Sequence, residues 1–357
     1  MPIRHNTGAM QLVQYRGRRA ARLENEFLRL TVLQQGGHIA EVMDKATGVN
    51  PLWTPPWPSI EPATYDHARY PAYGGGVDAP LLAGIMGHNL CLDIFGGPSD
   101  AEAAAGLPVH GEASLAEYEL ESSGQALVQR AHLKLTNLRV ERTIRLVGRA
   151  VTILETVENP SGVDRPIGWT QHVTLGPPFL EKGVTEFRAS ATRSKAFERA
   201  FGSADYLEPA AVFEWPYAPT PGGGTADLRR TSAAAASSAY TAHLMSPGGD
   251  RAFFVAFSPA ARLAFGYVWS PADFPWMGIW EENCSRPNAP WQSSTLARGM
   301  EFGVSPFPES RREMIERGRL FDVPAFRWIP AASAVTAEYA IVTAPSDAVP
   351  ETLDWPR

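Results

Sequence analysis

Most of what usually names a chemistry is missing from this chain. Only two of its 357 residues are cysteines, Cys91 and Cys284, too few for a disulfide framework and read as buried thiols. Basic residues are not in surplus: 32 Lys and Arg stand against 38 Asp and Glu, a net charge of −6, which speaks against nucleic acid or an anionic membrane as a partner. The most apolar stretch, 252–257, is far too short to span a bilayer. Met1-Pro2-Ile3-Arg4-His5-Asn6 has no apolar run behind it, so a signal peptide is not expected and a cytoplasmic protein is. In that setting the sequon Asn283-Cys284-Ser285 is an accidental match.

Sequence signatures of common active sites are absent too. There is no Gly-x-Ser-x-Gly elbow, no phosphate-binding Gly-x-x-x-x-Gly-Lys and no dinucleotide Gly-x-Gly-x-x-Gly. The eight histidines include no His-x-His pair and no His-Glu-x-x-His, so a metal site would have to be dispersed over His88, His110, His172 or His243.

What the chain does have is strand patterning. Its composition, 44% hydrophobic and 20% charged, is that of a globular protein with a large core. Period-two alternation predicts strands at 27–34 and 38–43 across a Gly36-Gly37 turn, then a meander at 115–121, 125–136, 138–147 and 150–158. Further strands are expected near 167–175, 184–190, 252–258, 262–269, 276–282, 298–304 and 336–343. Helix signals are few: 308–317 ending at Gly318, and a short helix near 99–105. Residues 51–90, rich in Pro, Gly and Trp, read as a functional loop or lid, and 216–239 as an excursion or mobile loop. The expectation is an all-β protein, one domain over residues 1–357 with its core at about 20–345, built from two or more packed sheets.

Three segments carry the candidate chemistry. They are Leu107-Pro108-Val109-His110-Gly111-Glu112, Gly168-Trp169-Thr170-Gln171-His172-Val173-Thr174-Leu175-Gly176 and Gly278-Ile279-Trp280-Glu281-Glu282-Asn283. Two imidazoles and a carboxylate are the groups that proton transfer on a sugar ring needs. Gly111 permits close backbone approach beside His110. In a strand, Trp169, Gln171 and Val173 share one face, and Thr170, His172 and Thr174 the other. Adjacent glutamates point to opposite faces, so only one of Glu281 and Glu282 can enter a given site. The plainer readings are a turn histidine, a solvated sheet face and an acidic strand end.

Together these segments resemble the aldose 1-epimerase (galactose mutarotase) superfamily. The likeness runs from Leu23-Glu24-Asn25-Glu26-Phe27-Leu28-Arg29-Leu30-Thr31-Val32 and Gly36-Gly37-His38-Ile39 through Asp44-Lys45-Ala46-Thr47-Gly48-Val49-Asn50-Pro51-Leu52-Trp53. Val109-His110-Gly111 is similar to the family's "pHG", Gln171-His172-Val173-Thr174-Leu175 to its second-histidine strand, and Trp280-Glu281-Glu282-Asn283 with Pro287-Asn288-Ala289-Pro290 to its "LE-Q…pdapn". The resemblance implies a β-supersandwich of large antiparallel sheets, a small-molecule sugar as substrate, and no cofactor. It also implies roles: Glu281 as the base, His172 as the acid, and His110 bonded to the ring oxygen or a neighbouring hydroxyl, with Asn89, Trp169, Gln171, His243 and Trp280 around the sugar. Where the family has a sugar-binding Asp, this chain reads Tyr240-Thr241-Ala242-His243-Leu244, so Tyr240 or His243 stands in; where the family has an Arg, Asn89 does. Two other readings stay open, a non-catalytic carbohydrate-binding protein on this fold and a metal-assisted sugar isomerase or lyase.

Overall fold

The computed structural model describes residues 8–356; the leading Met1–Asn6 segment lies outside them. Two antiparallel sheets dominate. The smaller has eight strands in the order Glu186–Ala189, Ala252–Ser258, Leu263–Trp269, Ser333–Pro345, Ala150–Asn159, Leu138–Val147, Ala126–Leu133 and Glu119–Ser123. The larger has twelve. Hairpins from Gln11 to Asp44 form one end of it. Its centre runs His88–Asp93, Arg165–Leu175, Leu296–Gly303, Trp276–Asn283 and Ser237–Met245.

The main core lies between the sheets. Trp269 stacks on Phe302 at 4.2 Å between ring centroids, and Trp169 meets Phe274 edge-on at 5.1 Å. One polar cluster is sealed inside this layer. Arg142 and Glu155 are fully buried and paired, and the Trp169 indole N–H and the Gln171 amide both donate to Glu155 Oε1. A buried ion pair is tolerable only when its remaining groups are hydrogen-bonded, and here Arg142 also donates to the Gly37 carbonyl at 3.0 Å.

A second apolar cluster covers the other face of the larger sheet, with Trp53, Leu81, Phe95, Tyr240, Trp280, Trp291 and Phe307 among its members. The middle of that sheet is therefore covered on both sides. His88–Asp93 and Trp276–Asn283 have no exposed position at all. This explains why His88–Asp93 and much of Ser237–Met245 escape sequence reading: a strand buried on both faces loses its alternation.

Elsewhere the pattern reads well. The meander strands Leu138–Val147 and Ala150–Asn159 alternate as expected, while the strand expected at 115–121 begins later, at Glu119, because the Leu115 and Ala116 N–H groups still bond back to the Glu112 carbonyl and Tyr118 N–H bonds to that of Gln34. Helix Arg311–Arg317 is shorter than the 308–317 reading, since Ser310 caps its N-terminus with a reciprocal Glu313 bond; Gly318 follows it with φ +64. A second Ser-Glu capping box opens Asp100–Ala104. The 216–239 stretch is not one open loop. It holds the hairpin of Tyr217–Thr220 and Gly224–Asp227, then enters Ser237–Met245. Among the described residues no helix is long and apolar enough to cross a membrane.

Candidate active site

Five adjacent strands of the larger sheet aim side chains outward, away from the inter-sheet core. Asn89 lies opposite His172, Tyr240 opposite Trp280, and Gly278 opposite Glu301. Two residues along, alternation brings Thr170 and Thr174 to the face of His172, and Gly299 and Gly303 to that of Glu301. The glycines make room: a Cβ at Gly299 would lie 2.4 Å from Glu301 Oε1, and one at Gly278 would lie 2.0 Å from the Tyr240 hydroxyl.

His110 comes from the loop above. Its backbone N–H donates to the Gly96 carbonyl at 3.0 Å and its carbonyl accepts from Leu92 N–H at 3.1 Å. Gly111 turns the chain with φ +76, and any Cβ there would strike the Leu92 carbonyl at 1.9 Å. The loop is thereby pressed onto the sheet, and the His110 ring lies 4.9 Å from that of His172 between centroids.

These groups form the floor of a cavity of about 450 Å³, a size suited to a small ligand. Its walls are mostly apolar, with the rings of Phe95, Phe197, Phe201, Trp280 and Trp291 beside aliphatic side chains, and Asp78, Arg199 and Arg286 among the polar lining.

The floor holds a definite set of protons. His110 Nδ1–H donates to the Phe95 carbonyl, which leaves Nε2 as a bare acceptor in the neutral ring. Burial lowers its pKa to about 4. His172 Nε2 faces Glu301 Oε1 at 3.1 Å, while its Nδ1 is held by Thr174 Oγ1 at 3.2 Å and the Asn89 amide at 3.4 Å. Burial, with help from His110, pushes the His172 imidazole well below its usual range, and burial pushes the Glu301 carboxyl well above its own; a hydrogen bond from Tyr240 partly offsets the latter. Both shifts disfavour charge. A buried carboxyl and imidazole in contact then hold one proton between them at neutral pH.

No family model matches the sequence, and no curated protein does. Solved structures do. A candidate aldose 1-epimerase from Klebsiella pneumoniae is similar with a TM-score of 0.65 at 13% identity, over 94% of this chain and 82% of that one. A galactose mutarotase-like protein from Clostridium acetobutylicum has a TM-score of 0.60 at 11% identity, over 94% and 98%. An aldose epimerase homologue from C. elegans has 0.57 at 9%, over 95% and 99%. The chain has the galactose mutarotase fold.

On this galactose mutarotase fold the residues singled out from sequence separate into two groups. His110, His172, Asn89 and Trp280 come together at the cavity or directly behind it. Glu281 does not. It sits on the opposite face of its strand, where it accepts from Ser237 Oγ at 2.6 Å and lies 3.6 Å from Arg298. Glu282 shares the face of Trp280, but its carboxylate holds the following turn, accepting from Ser285 N–H and Oγ at 2.7 Å each. Trp169 and Gln171 point into the inter-sheet core, bound to Glu155. His243 also faces away from the cavity, between Thr241 and Ser194 at 2.8 Å each. His88 likewise is turned to the core, bonded to Gln171 at 2.9 Å, and among the described residues no three His, Cys, Asp or Glu side chains gather as a metal-holding cluster. Glu301 is the carboxylate that sequence reading missed. Its signal was present in Gly299-Met300-Glu301-Phe302-Gly303: a lone acid between apolar neighbours, with a glycine on each side along its own face.

Proposed function

We propose that the protein is a carbohydrate epimerase that interconverts sugar anomers by acid–base ring opening. The observation that carries this reading is the His110–His172–Glu301 floor under an aromatic cavity. Aromatic walls suit the C–H faces of a sugar ring, and the floor supplies one proton acceptor and one donor.

The bare Nε2 of His110 takes the proton of the anomeric hydroxyl. The Glu301–His172 couple gives its proton to the ring oxygen as the bond from C1 to that oxygen breaks and C1=O1 forms. Rotation about C1–C2 turns the aldehyde over. Closure runs the same transfers backwards: the couple recovers its proton from the freed hydroxyl, and His110 returns its own to O1. Every atom and proton is restored. Each acid or base is worth roughly 10²–10⁴-fold in rate. Asn89 and Thr174 act behind His172 by holding its Nδ1, so that Nε2 meets Glu301.

Exchange NMR or polarimetry on a panel of free aldoses tests the reading. Wild-type protein should speed anomerisation, and Glu301→Gln should lose about 10²-fold or more of that rate with its thermal melt unchanged. Acceleration of no aldose over buffer would overturn it, and sugar binding indifferent to Glu301→Gln would leave a carbohydrate-binding protein.

A further inference from the structure

The cleft continues past the histidine cavity. A second, more open cavity of about 320 Å³ shares Asp78, Phe201, Arg286 and Trp291 with the first and is further lined by Ser203 and Asn288. The shared wall is therefore a joint between two compartments, and it carries two charged side chains of opposite sign.

Neither has its hydrogen-bonding capacity filled by the described residues. Arg286 sets Nε 3.3 Å from Glu282, and its guanidinium lies 4.8 Å from the ring centre of Trp291 and 5.4 Å from that of Trp280. Its two Nη groups donate to no described residue. The Asp78 carboxylate precedes helix Ala79–Gly84 without capping it and accepts from no described residue. A planar pair of donors and a pair of acceptors thus face one cleft.

The signs select the ligand. A bare anion at the joint would meet Asp78, with Glu282 and Asp205 also acting on Arg286. A bare cation would meet Arg286. A neutral polyol satisfies both, because its hydroxyls accept from the fork and donate to the carboxylate. The aromatic platform that fixes Arg286 spares it the entropy of ordering a long side chain.

We propose that the joint is a second sugar subsite, and that the ligand is a reducing disaccharide. Its reducing unit lies over His110 and His172. Its second unit fills the outer cavity, with hydroxyls on Asp78 and Arg286. This rests on the epimerase reading of the first cavity.

Anomerisation rates and binding titrations on reducing disaccharides, on their component monosaccharides and on methyl glycosides of both test it. Disaccharides should be preferred by about tenfold to a hundredfold in kcat/KM, the worth of one charge-assisted hydrogen bond. Asn288→Trp, which fills only the outer cavity, should abolish that preference and leave monosaccharide turnover unchanged. Arg286→Ala should weaken disaccharides more than monosaccharides, with thermal melts reporting that both variants fold. Monosaccharide turnover with no disaccharide preference in rate or binding overturns the subsite and leaves the epimerase reading standing. Selective binding of sugar phosphates or uronates over the neutral pair overturns it as well. Disaccharide-selective binding lost in Asn288→Trp, with turnover of no sugar, supports the subsite and overturns the epimerase reading.

Discussion

Glu281 and Glu301 show what the surroundings make of the same side chain. Both are buried. Glu281 has Arg298, Ser237 and the Ser232 N–H for company, so its charge is matched. Glu301 has a tyrosine hydroxyl and a neutral imidazole, so its proton is hard to remove. The two should fail differently. Glu281→Gln leaves the Arg298 guanidinium buried without a counter-charge, and a loss of about 3 kcal/mol in stability is expected; urea unfolding measures it, and turnover per folded molecule should stay near wild type. On the proposed mechanism the His110 acceptor sets the acidic limb of the rate. With its pKa at about 4, kcat/KM should hold level down to weakly acidic pH and fall as the imidazole protonates around that value. A pH–rate profile that instead breaks near 6.5, the free histidine value, would contradict the lowering of the His110 pKa by burial.

Among the strands, one residue of register decides which side chain does what. In Trp276–Asn283 the alternation puts Trp280 at the cavity and Glu281 on the far face. The sequence shows that the two glutamates must diverge, and it shows Thr170, His172 and Thr174 on a common face. It does not show which face is the site, because both faces of this sheet are covered and period two carries no wet-side mark. The same lack hid His88–Asp93. By contrast, Leu138–Val147 and Ala150–Asn159 of the outer meander have one wet face and are legible almost residue for residue. Trp169 and Gln171 misled for a related reason. An indole and an amide beside a histidine look like a sugar site, but their partner Glu155 comes from the other sheet, a contact that no local pattern encodes. The strands also set how closely Tyr240 can lie over its neighbour. Gly278→Ala would drive a methyl into the Tyr240 hydroxyl, shifting a ring that lines the cavity beside Glu301. A rate loss of about 10²-fold is expected, as for other small misplacements of catalytic groups, with the far-UV circular dichroism unchanged.

For the whole molecule, the telling feature is how many imidazoles are sealed in. Burial depresses His88 and His243 to about 3 and His110 to about 4, and holds His38 and His172 well below their usual range. The unfolded chain takes up these protons near 6.5. Between that pH and the folded values the unfolded state binds more protons, so stability falls as pH falls through this window and is insensitive to these groups above it. Thermal melts should therefore shift downward progressively from about pH 6.5 to about pH 4; a flat melting temperature across that range would contradict the burial. The spatial succession of the site strands matters in another way. Asn89, His172, Glu301, Trp280 and Tyr240 sit side by side on neighbouring strands, yet their order in space is not their order along the chain. Pairings between such distant segments form slowly, because long loops must close first. On the proposed function, a nascent chain leaving the ribosome has no complete sugar site until the segment bearing Glu301 has emerged. Recovery of turnover after denaturation will thus time the last closure of the large sheet.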